Sequence, residues 1–492
     1  MQFIRILFKS CLLLAALGTA GELRAQGVAG PVDCFTEIDP LYTLTDVNSL
    51  IKINDQRELL ERRAALIRYI WGDAGFPATK LPRPESVMTD VASPLVALPN
   101  LGRVDQITLE TPLPAGARVP EIKSVVYHFR PRVGSDRLMI FHEGHDPGAS
   151  PLAGRGQRET IAQFLLQGYE VLALQMPLIG HNAVPPYDSS PDPHGELGAL
   201  KGDGLNPLKF FVEPVAVALN HATRSASFEQ IVMVGLSGGG WTTTLYAAID
   251  PRVQVSVPVA GSLPDYLRAG PCGNDPRDWE QAEISTFIDY TELYVLGAHG
   301  EGRAQLQVLN QYDDCCYAGV RYRTYEPVVR ERLARIGAGE FRVLLDGTHR
   351  GHVISPAALG EIGKAVNAPF PVLLTEADTL DAIALDSVTM MRGPFRVAAT
   401  RNFSQDGRTR IMLFAGNINP DGGDAQAVEV RAEDAAQRSF PLKIEYIGSM
   451  PQAEGLTQIV VSLAEELEHA GEVRLSVRVR GRTSARGLIT IR

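Results

Sequence analysis

The run from Phe228 to Gly240 constrains the fold more than any other part of the chain. Its first half is apolar and rich in β-branched residues, which is typical of a buried strand, and it breaks directly into Gly235-Leu236-Ser237-Gly238-Gly239. The residues that follow can begin a helix. A tight strand-to-helix turn of this kind exposes the serine oxygen, and its neighbours lack side chains because backbone approaches them closely. The run predicts a strand, a turn and a helix that present Ser237 as a nucleophile, with an ordinary glycine-rich loop as the alternative.

Apolar runs and helical patterns alternate between about residue 104 and residue 366. The apolar runs are continuous and do not alternate with polar residues, which is typical of strands buried on both faces. Such strands belong to the α/β class, a mostly parallel sheet with helices on both faces. The predicted strands are 107–109, 122–129, 138–141, 169–174, 228–234, 253–259, 293–296 and 341–345. The predicted helices are 157–166, 207–220, 328–336 and 357–366.

The order of these elements resembles the α/β-hydrolase superfamily, and within it the secreted serine esterases. The resemblance covers roughly residues 100–368 and rests on Gly235-Leu236-Ser237-Gly238-Gly239 with its flanking strand and helix. In that superfamily a serine, an acid and a histidine follow one another along the chain, after successive strands. The resemblance implies that Ser237 is the nucleophile, and a serine needs a base and an orienting carboxylate to react.

The resemblance puts the base in the loop after the last predicted strand, 341–345. Two histidines of this loop, His349 and His352, precede the final helix. His352 is favoured because the histidine of the superfamily usually sits just before that helix, and Gly351 would let the loop turn there. His349 is the alternative, and a surface or supporting role is its other interpretation.

Three carboxylates compete for the position of the acid. Glu301 lies at the superfamily's usual short offset from the predicted strand 293–296. Asp313 and Asp314 lie next to two adjacent cysteines, which could make their loop rigid. A carboxylate that orients an imidazole must be held firmly, so Asp313 is favoured and the other two remain alternatives.

Acyl transfer to serine also needs N–H donors for the developing oxyanion. The N–H of Gly238, directly after the nucleophile, is one of them. The second is expected in His142-Glu143-Gly144-His145, which resembles the His-Gly oxyanion loop of esterases with one extra residue. Glu143 and Gly144 are the assigned candidates, and the N–H of His145 stays open. A metal site on His142 and His145 is not expected, because no paired carboxylate pattern accompanies them.

Residues 1–25 are predicted to be a signal peptide. Arg5 and Lys9 precede a short apolar run, Cys11 to Ala20, and small residues follow it. That run is too short to span a bilayer comfortably, and no later stretch is long and apolar enough to anchor the chain. We therefore expect a secreted or periplasmic protein with no stable membrane insertion after cleavage.

Export makes the cysteine count informative. Cys34, Cys272, Cys315 and Cys316 remain after the signal peptide, an even number in an oxidising compartment. Cys272 could bridge to one of the adjacent pair, and a direct bond between Cys315 and Cys316 is a strained alternative. The connectivity stays open.

Residues 26–100 are predicted to be a helical lead-in that packs on a catalytic domain spanning 101–370. Asp55 and Glu58 resemble a capping box, and apolar residues then recur at helical spacing until Gly72.

The pattern changes after about residue 370, where apolar and polar residues alternate. The clearest cases are the runs 440–446 and 473–480. A period of two is typical of half-exposed antiparallel strands, and the number of such runs suits a small β-sandwich of immunoglobulin type over 371–492. The immunoglobulin label is architectural, since no Cys or Trp core signature accompanies it.

Composition restricts the partners. A formal charge of −10 and a pI of about 5.6 argue against nucleic acid or an anionic membrane as the main partner. No organic cofactor is implied, because no phosphate-cradling Gly-x-Gly-x-x-Gly follows a first strand.

The predicted function is hydrolysis of carboxylic esters, from a small molecule or a glycan, through an acyl-serine formed by Ser237, His352 and Asp313. A secreted peptidase of the prolyl-oligopeptidase type is one alternative, although no propeller repeats precede the catalytic region. The other is a lapsed hydrolase scaffold that acts as a binding or adhesion protein through its β-domain. Few aromatic residues besides Tyr446 support a glycan-binding role there.

Overall fold

A computed structural model describes most of the chain after the predicted signal peptide. The described residues are 32–492 apart from 90–97, 114, 116, 133–134, 147–154, 203, 274–277, 368–370, 377–378, 380, 399–403, 422, 437, 452, 454, 480–481 and 485–486. The predicted signal peptide, residues 1–25, lies outside them, and so does the predicted boundary at residue 370.

A sheet of nine strands forms the centre of the larger unit in the described part of the chain. Its strands are β1 (Val87–Met88), β2 (Leu101–Pro112), β3 (Glu121–Pro131), β4 (Arg137–His142), β5 (Glu170–Leu174), β6 (Gln230–Leu236), β7 (Val255–Val259), β8 (Ala304–Asn310) and β9 (Glu340–Asp346). They lie in the order β1-β2-β3-β5-β4-β6-β7-β8-β9. The six strands from β4 to β9 are parallel to one another, and β1, β2 and β3 are added at one edge by antiparallel pairing. The prediction of a mostly parallel sheet is confirmed.

The helices connect and surround these strands. They are α1 (Val47–Leu50), α2 (Gln56–Trp71), α3 (Gln157–Leu166), α4 (Pro193–Gly198), α5 (Lys209–Ser225), α6 (Gly238–Ile249), α7 (Trp279–Ser285), α8 (Tyr290–Ala298), α9 (Glu326–Ile336) and α10 (Pro356–Asn367). Short 3₁₀ helices occupy Pro40–Leu44, Gly72–Ala74, Pro84–Ser86, Gly180–Asn182, Tyr187–Ser189, Asp265–Leu267, Arg321–Thr324, Asp424–Ala427 and Glu465–Leu467. Among the described residues, no helix has both the length and the apolar character needed to cross a bilayer.

The direction of each connection decides which face of the sheet its helix covers. The connection from β4 to β5 runs one way across the sheet, and those from β5 through β9 run the other way. Because such crossovers are right-handed, α3 lies on one face and α5, α6, α8 and α9 lie on the other. Helix α10 packs against α3, where Gln163 Nε2 donates to the carbonyl oxygen of Leu359 at 3.1 Å. Helices therefore cover both faces, as predicted.

One predicted strand is wrong. The run 293–296 lies in the middle of α8, whose residues are all buried. A helix without an exposed face shows no helical period, so a short apolar run of this kind looks like a strand. The side chain of Asp289 caps α8 by accepting a hydrogen bond from the N–H of Thr291 at 2.8 Å.

The real strand, β8, escapes a pattern search because two glutamines interrupt its apolar residues. Both glutamines are buried, and both donate hydrogen bonds inside the sheet. Gln305 Nε2 bonds Ser256 Oγ at 3.2 Å, and Gln307 Nε2 bonds the carbonyl oxygen of Ser262 at 2.8 Å. Buried polar side chains are tolerated where such partners exist, so polarity here does not mean exposure.

The N-terminal segment packs against the helices of the larger unit. Its main helix, α2, begins after Asp55, whose carboxylate accepts the N–H of Glu58 at 2.7 Å, and it ends at Gly72 with a φ of 61°. The guanidinium of Arg62 donates to Glu292 of α8 at 2.8 Å. The capped helix expected at this position is confirmed.

The C-terminal strands form a second unit. They are β10 (Val372–Leu373), β11 (Ala384–Asp386), β12 (Arg410–Gly416), β13 (Val428–Glu433), β14 (Ser439–Ser449), β15 (Leu456–Ser462), β16 (Gly471–Val479), β17 (Arg482–Thr483) and β18 (Gly487–Ile491). Every ladder between these strands is antiparallel. Strand β14 pairs with β13 over 439–442 and with β15 over 443–449. It therefore joins two groups of strands, one that contains β13 and β16 and one that contains β15 and β12. The antiparallel β-domain is confirmed, whereas its immunoglobulin type stays a prediction.

Two hydrophobic clusters contain most of the buried apolar residues in the described part of the chain. One runs from Tyr42 to Val366 and fills the α/β unit, and the other runs from Leu373 to Ile491 and fills the β-domain. In β16 the buried residues Val473, Leu475 and Val477 alternate with half-exposed ones, as period two requires.

Arg332 of α9 offers a test of how the N-terminal segment is held. Its buried guanidinium donates to the carbonyl oxygens of Ile51 at 2.8 Å and Ile53 at 2.6 Å. Arg332→Met keeps the length of the side chain and removes these donors. We expect a loss of about 1–3 kcal/mol in the free energy of unfolding and faster protease cleavage within 44–55. Arg335→Met, which removes an exposed pair with Glu331 on the same helix, is the matched control and should change neither.

Candidate active site

Ser237 lies on a strained turn between β6 and α6. Its backbone has φ 60° and ψ −126°, a conformation that residues other than glycine seldom adopt. Its N–H donates to the carbonyl oxygen of Val259 at 2.9 Å, which anchors the turn to β7. Between 231 and 250, Ser237 is the single residue that is not buried. Strain of this kind persists where the surroundings impose it, and here it presents one hydroxyl group at the edge of the sheet.

The glycines around Ser237 are required by close backbone contacts. A Cβ on Gly239 would lie 1.9 Å from the carbonyl oxygen of His142, at the end of β4. A Cβ on Gly144 would lie 2.7 Å from the Cβ of Ser237. The loop after β4 therefore packs directly on the turn that carries the serine.

The structure brings Asp313 and His352 together. Asp313 follows β8 and His352 follows β9, the two neighbouring strands beyond β7. The Nδ1–H of His352 donates to Asp313 Oδ2 at 2.8 Å. The Nε2 atom of His352 is buried and has no hydrogen-bond partner in the described part of the chain. The pair thus leaves one imidazole nitrogen available to accept a proton.

Asp313 is held by donors on both carboxylate oxygens. Oδ1 accepts the N–H groups of Cys315 at 2.8 Å and Cys316 at 3.2 Å. Oδ2 accepts, besides His352, the amide of Asn310 at 3.2 Å. Burial of Asp313 favours its neutral form, but these hydrogen bonds and the charge of His352 outweigh burial, so the pKa of Asp313 lies below its ordinary value.

Asn310 is a positioning residue that the sequence did not reveal. It is the last residue of β8 and is buried. Its amide nitrogen also donates to the carbonyl oxygen of Val353 at 3.1 Å, so one side chain ties the acid to the loop of the histidine. A lone asparagine at the end of an unrecognised strand gives no signal in the sequence.

The alternative residues lie elsewhere. His349 Nε2 bonds Asp346 at 3.1 Å, inside a buried network that Thr348 and Ser355 also join. Asp314 is exposed and pairs with Arg350 at 3.1 Å. Glu301 is exposed in the turn before β8, because α8 precedes it. That turn is at the amino end of the strand, opposite the edge where Ser237 lies.

The loop of His352 connects to the serine through a chain of contacts. The N–H of Ile354 donates to the carbonyl oxygen of Arg155 at 3.0 Å. The guanidinium of Arg155 donates to Glu143 Oε1 at 3.0 Å, and Gly144, the next residue, packs on Ser237. These contacts join the loops after β9, β4 and β6, so the three candidate residues occupy one edge of the sheet.

The loop after β4 offers fewer free N–H groups than its sequence suggests. The N–H of Glu143 donates to the carbonyl oxygen of Leu174 at 2.9 Å, so it is already occupied. The N–H of Gly144 meets Glu143 Oε1 at 3.1 Å. The N–H groups of His145 and Gly238 have no hydrogen-bond partner among the described residues. In this loop, the N–H of Glu143 is therefore unsuited to the predicted oxyanion role, and the N–H groups of Gly144 and His145 remain as candidates.

Burial governs the charges of this loop. Burial raises the pKa of Glu143 to about 7, although Arg155 and the N–H of Gly144 oppose the change. Burial lowers the pKa of His142 to about 4, and its Nδ1 bonds the carbonyl oxygen of Glu143 at 2.8 Å. His142 is therefore neutral at pH 7, and Glu143 is balanced between its two forms.

Both pairs of cysteines among the described residues are disulfides. Cys34 bonds Cys272, and Cys315 bonds Cys316. The bridge from Cys272 to the adjacent pair, which the sequence made conceivable, does not form. No local pattern in the sequence pairs Cys34 with Cys272, because the two residues lie 238 positions apart.

The strand order, the strained turn between β6 and α6 and the helices on both faces of the sheet together decide the fold. The chain has the α/β-hydrolase fold. No protein-family model matches the chain, and no curated protein matches it.

Solved structures do match. Acetyl xylan esterase 1 from Thermoanaerobacterium sp. JW/SL YS485 is 15% identical, with a TM-score of 0.39 over 65% of this chain and 96% of its own. A carbohydrate esterase family 15 glucuronoyl esterase from Caldicellulosiruptor kristjansonii is 16% identical, with a TM-score of 0.37 over 62% and 83%. An acylaminoacyl peptidase from Pyrococcus horikoshii is 11% identical, with a TM-score of 0.34 over 53% and 40%. At these TM-scores the similarities carry no conclusion on reaction or substrate.

A cavity of about 400 Å³ opens beside the loop after β4, residues 142–145. His145 lines it together with residues of the segment 178–194, which forms one wall. The imidazole of His145 also covers Gly238, since a Cβ there would lie 2.9 Å from His145 Nδ1. His145 thus lies between the cavity and Gly238.

Glu143→Gln tests the buried carboxyl next to the serine. In the folded chain the Glu143 pKa is about 7, against an ordinary value of 4.5, so the folded state binds more protons between these values. Stability therefore falls as pH rises through this window, by about 3 kcal/mol in all. We expect Glu143→Gln to gain stability over the parent at pH 8 but much less at pH 5, measured by urea unfolding. An equal difference at both pH values would contradict the buried ionisation.

Replacing Cys315 and Cys316 by serine tests the support of Asp313. The disulfide fixes the turn whose two N–H groups hold the carboxylate, so a free turn should orient His352 less well. We expect kcat for a reactive ester to fall about tenfold with KM unchanged. Replacing Cys34 and Cys272 by serine breaks the other disulfide and is the control. If both double variants lose activity equally, the effect is one of stability.

Proposed function

We propose that this chain is an exported serine hydrolase that cleaves carboxylic esters through an acyl-serine intermediate. The observation that carries the proposal is the strained, solvent-accessible Ser237 on a buried turn, at the sheet edge where Asp313 also holds His352. A nucleophile, a base and an oriented acid are the groups that acyl transfer requires.

The proposed steps use only these side chains and the local backbone. Ser237 Oγ attacks the ester carbonyl carbon while His352 Nε2 takes its proton. Asp313 fixes the Nδ1–H tautomer and stabilises the imidazolium that forms. His352 then gives the proton to the departing alcohol, which leaves an acyl-serine. Water then attacks the acyl carbon while His352 takes its proton. His352 returns that proton to Ser237 Oγ as the bond to the acyl group breaks, which releases the carboxylic acid and regenerates Ser237.

The oxyanion of each tetrahedral intermediate needs two donors. The N–H of Gly238 is the first, at the amino end of α6, where the helix dipole also favours negative charge. The N–H of Gly144 or of His145 is the second. Because the Gly144 N–H contacts Glu143, its use requires that carboxyl group to release it.

The proposed substrates are esters of small molecules or glycans. The cavity beside His145 has a volume of 400 Å³, within the range of sites for small ligands. Asp188, Asp192 and Asp278 line it, so it is suited to neutral or cationic groups better than to anions.

The proposal includes export and the division of the chain. Two disulfides suit an oxidising compartment. The proposed segments are a signal peptide at 1–25, a lead-in at 26–100, a catalytic domain at 101–370 and an immunoglobulin-like domain at 371–492.

The first test combines labelling with kinetics. A fluorophosphonate should label the full chain, and Ser237→Ala should abolish the label. An ester panel from acetyl to long acyl groups, on sugars and simple alcohols, should then be hydrolysed, and Ser237→Ala and His352→Gln should lower kcat/KM by at least about 10³-fold. Asp313→Asn should lower it by about 10³- to 10⁴-fold.

Matched variants separate the candidates. His349→Gln, Asp314→Asn and Glu301→Gln change the alternative candidates for base and acid, and these variants should retain labelling and most activity. Cleavage of aminoacyl-nitroanilides in preference to all esters would indicate a peptidase. An unlabelled Ser237 in a folded chain would indicate a lapsed scaffold.

A further inference from the structure

Three side chains beside the oxyanion loop converge without a complete set of hydrogen bonds. His145 Nε2 and His194 Nδ1 lie 3.1 Å apart, and His194 Nδ1 lies 3.1 Å from Glu280 Oε2. His145 Nε2 lies 3.6 Å from Glu280 Oε1. Glu280 is fully buried, and its Oε1 has no hydrogen-bond partner among the described residues.

The protons of this cluster cannot all be placed well. His194 Nε2 lies 2.9 Å from the carbonyl oxygen of Pro177, and because a carbonyl only accepts, Nε2 carries a proton. Nδ1 of His194 then faces both an imidazole nitrogen and a carboxylate oxygen. A proton on Nδ1 serves one of them only. Without that proton, the lone pair of His194 Nδ1 faces a lone pair of Glu280 Oε2 across 3.1 Å.

A cation between the three side chains would accept lone pairs from His145 Nε2, from His194 Nδ1 and from the carboxylate of Glu280. Zinc bonds to histidine nitrogen and carboxylate oxygen are about 2.0–2.2 Å long, so tetrahedral ligand atoms lie about 3.3 Å apart. The two nitrogens are 3.1 Å apart and His194 Nδ1 is 3.1 Å from Glu280 Oε2, which agrees with that spacing, while the other carboxylate oxygen, Oε1, lies 3.6 Å from His145 Nε2. One ligand atom from each of the three side chains lies within 4.8 Å of the other two. The N–H of His194 on Pro177 is the outer hydrogen bond that fixes the tautomer of a ligating histidine.

We propose that His145, His194 and Glu280 bind one divalent transition-metal ion, with zinc as the best match. Two imidazoles and one carboxylate form a donor set that zinc favours, whereas calcium and magnesium prefer oxygen ligands. Asp278 lies close enough to interact electrostatically with both histidines, which adds negative charge beside the ion. His145, His194 and Asp278 line the same cavity, so Asp278 or water can complete the coordination.

The site joins three distant parts of the chain. His145 belongs to the loop after β4, His194 to α4 and Glu280 to the first turn of α7. An ion here would hold the cavity wall against the loop whose His145 covers Gly238. The proposal concerns metal binding alone and does not rest on the proposed ester hydrolysis.

The test measures metal directly. The full chain without its signal peptide, purified without a polyhistidine tag, is stripped with chelator, equilibrated with zinc sulfate, desalted and analysed by mass spectrometry. We expect about one zinc ion per chain and a rise in Tm when zinc is added. Cobalt in place of zinc should give the visible absorption of a tetrahedral site.

Glu280→Gln preserves the shape of the site and removes the charge. It should weaken zinc binding by at least about 100-fold, with His145→Gln as a second variant at a less buried ligand. Glu283→Gln, on the same helix but outside the cluster, should bind zinc as the parent does. Circular dichroism of the metal-free variants reports folding independently of metal.

Two results would overturn the proposal. A folded parent chain that retains no zinc and shows no change in Tm would identify the cluster as a metal-free pair of His194 and Glu280. Zinc retained undiminished by both Glu280→Gln and His145→Gln would place the metal elsewhere.

Discussion

The contact between the backbone at Gly239 and the carbonyl oxygen of His142 is the constraint on which the rest of the site depends. The contact leaves no room for a side chain at position 239, so the first turn of α6 packs directly against the end of β4. That contact fixes the strained turn at Ser237 and, at the same time, places the loop of His145 over it. One steric requirement thus positions both the candidate nucleophile and the groups that would stabilise charge on its substrate.

Polar groups of the site are held from more than one direction. Asp313 receives four donors from a disulfide-bonded turn, a strand end and the histidine itself. Buried carboxylates stay ionised only with such compensation. Glu143 has fewer partners, and its Oε2 has none among the described residues; burial raises its pKa instead. The two carboxyl groups lie at the same sheet edge, and their surroundings drive their pKa values apart.

The sequence predicts what depends on local pattern. The turn at Ser237, the parallel strands around it and the alternation in β16 follow from runs of a few residues. What it misses depends on partners distant in the chain: the glutamines of β8 are polar yet buried, and α8 is a helix without a polar face. Asn310, His194 and Glu280 become significant only when separate connections meet, which no spacing in the sequence shows. The pairing of Cys34 with Cys272 was missed for the same reason, because 238 residues separate the two cysteines.

If the chain is exported as proposed, that disulfide bears on the order in which its cysteines can pair. Once the proposed signal peptide is removed, Cys34 is the first cysteine to emerge and Cys272 is the second. Cys315 and Cys316 follow later and can close on each other as neighbours. The order of emergence therefore offers each cysteine its native partner before any wrong one, and correct pairing can proceed without an isomerase to reshuffle it.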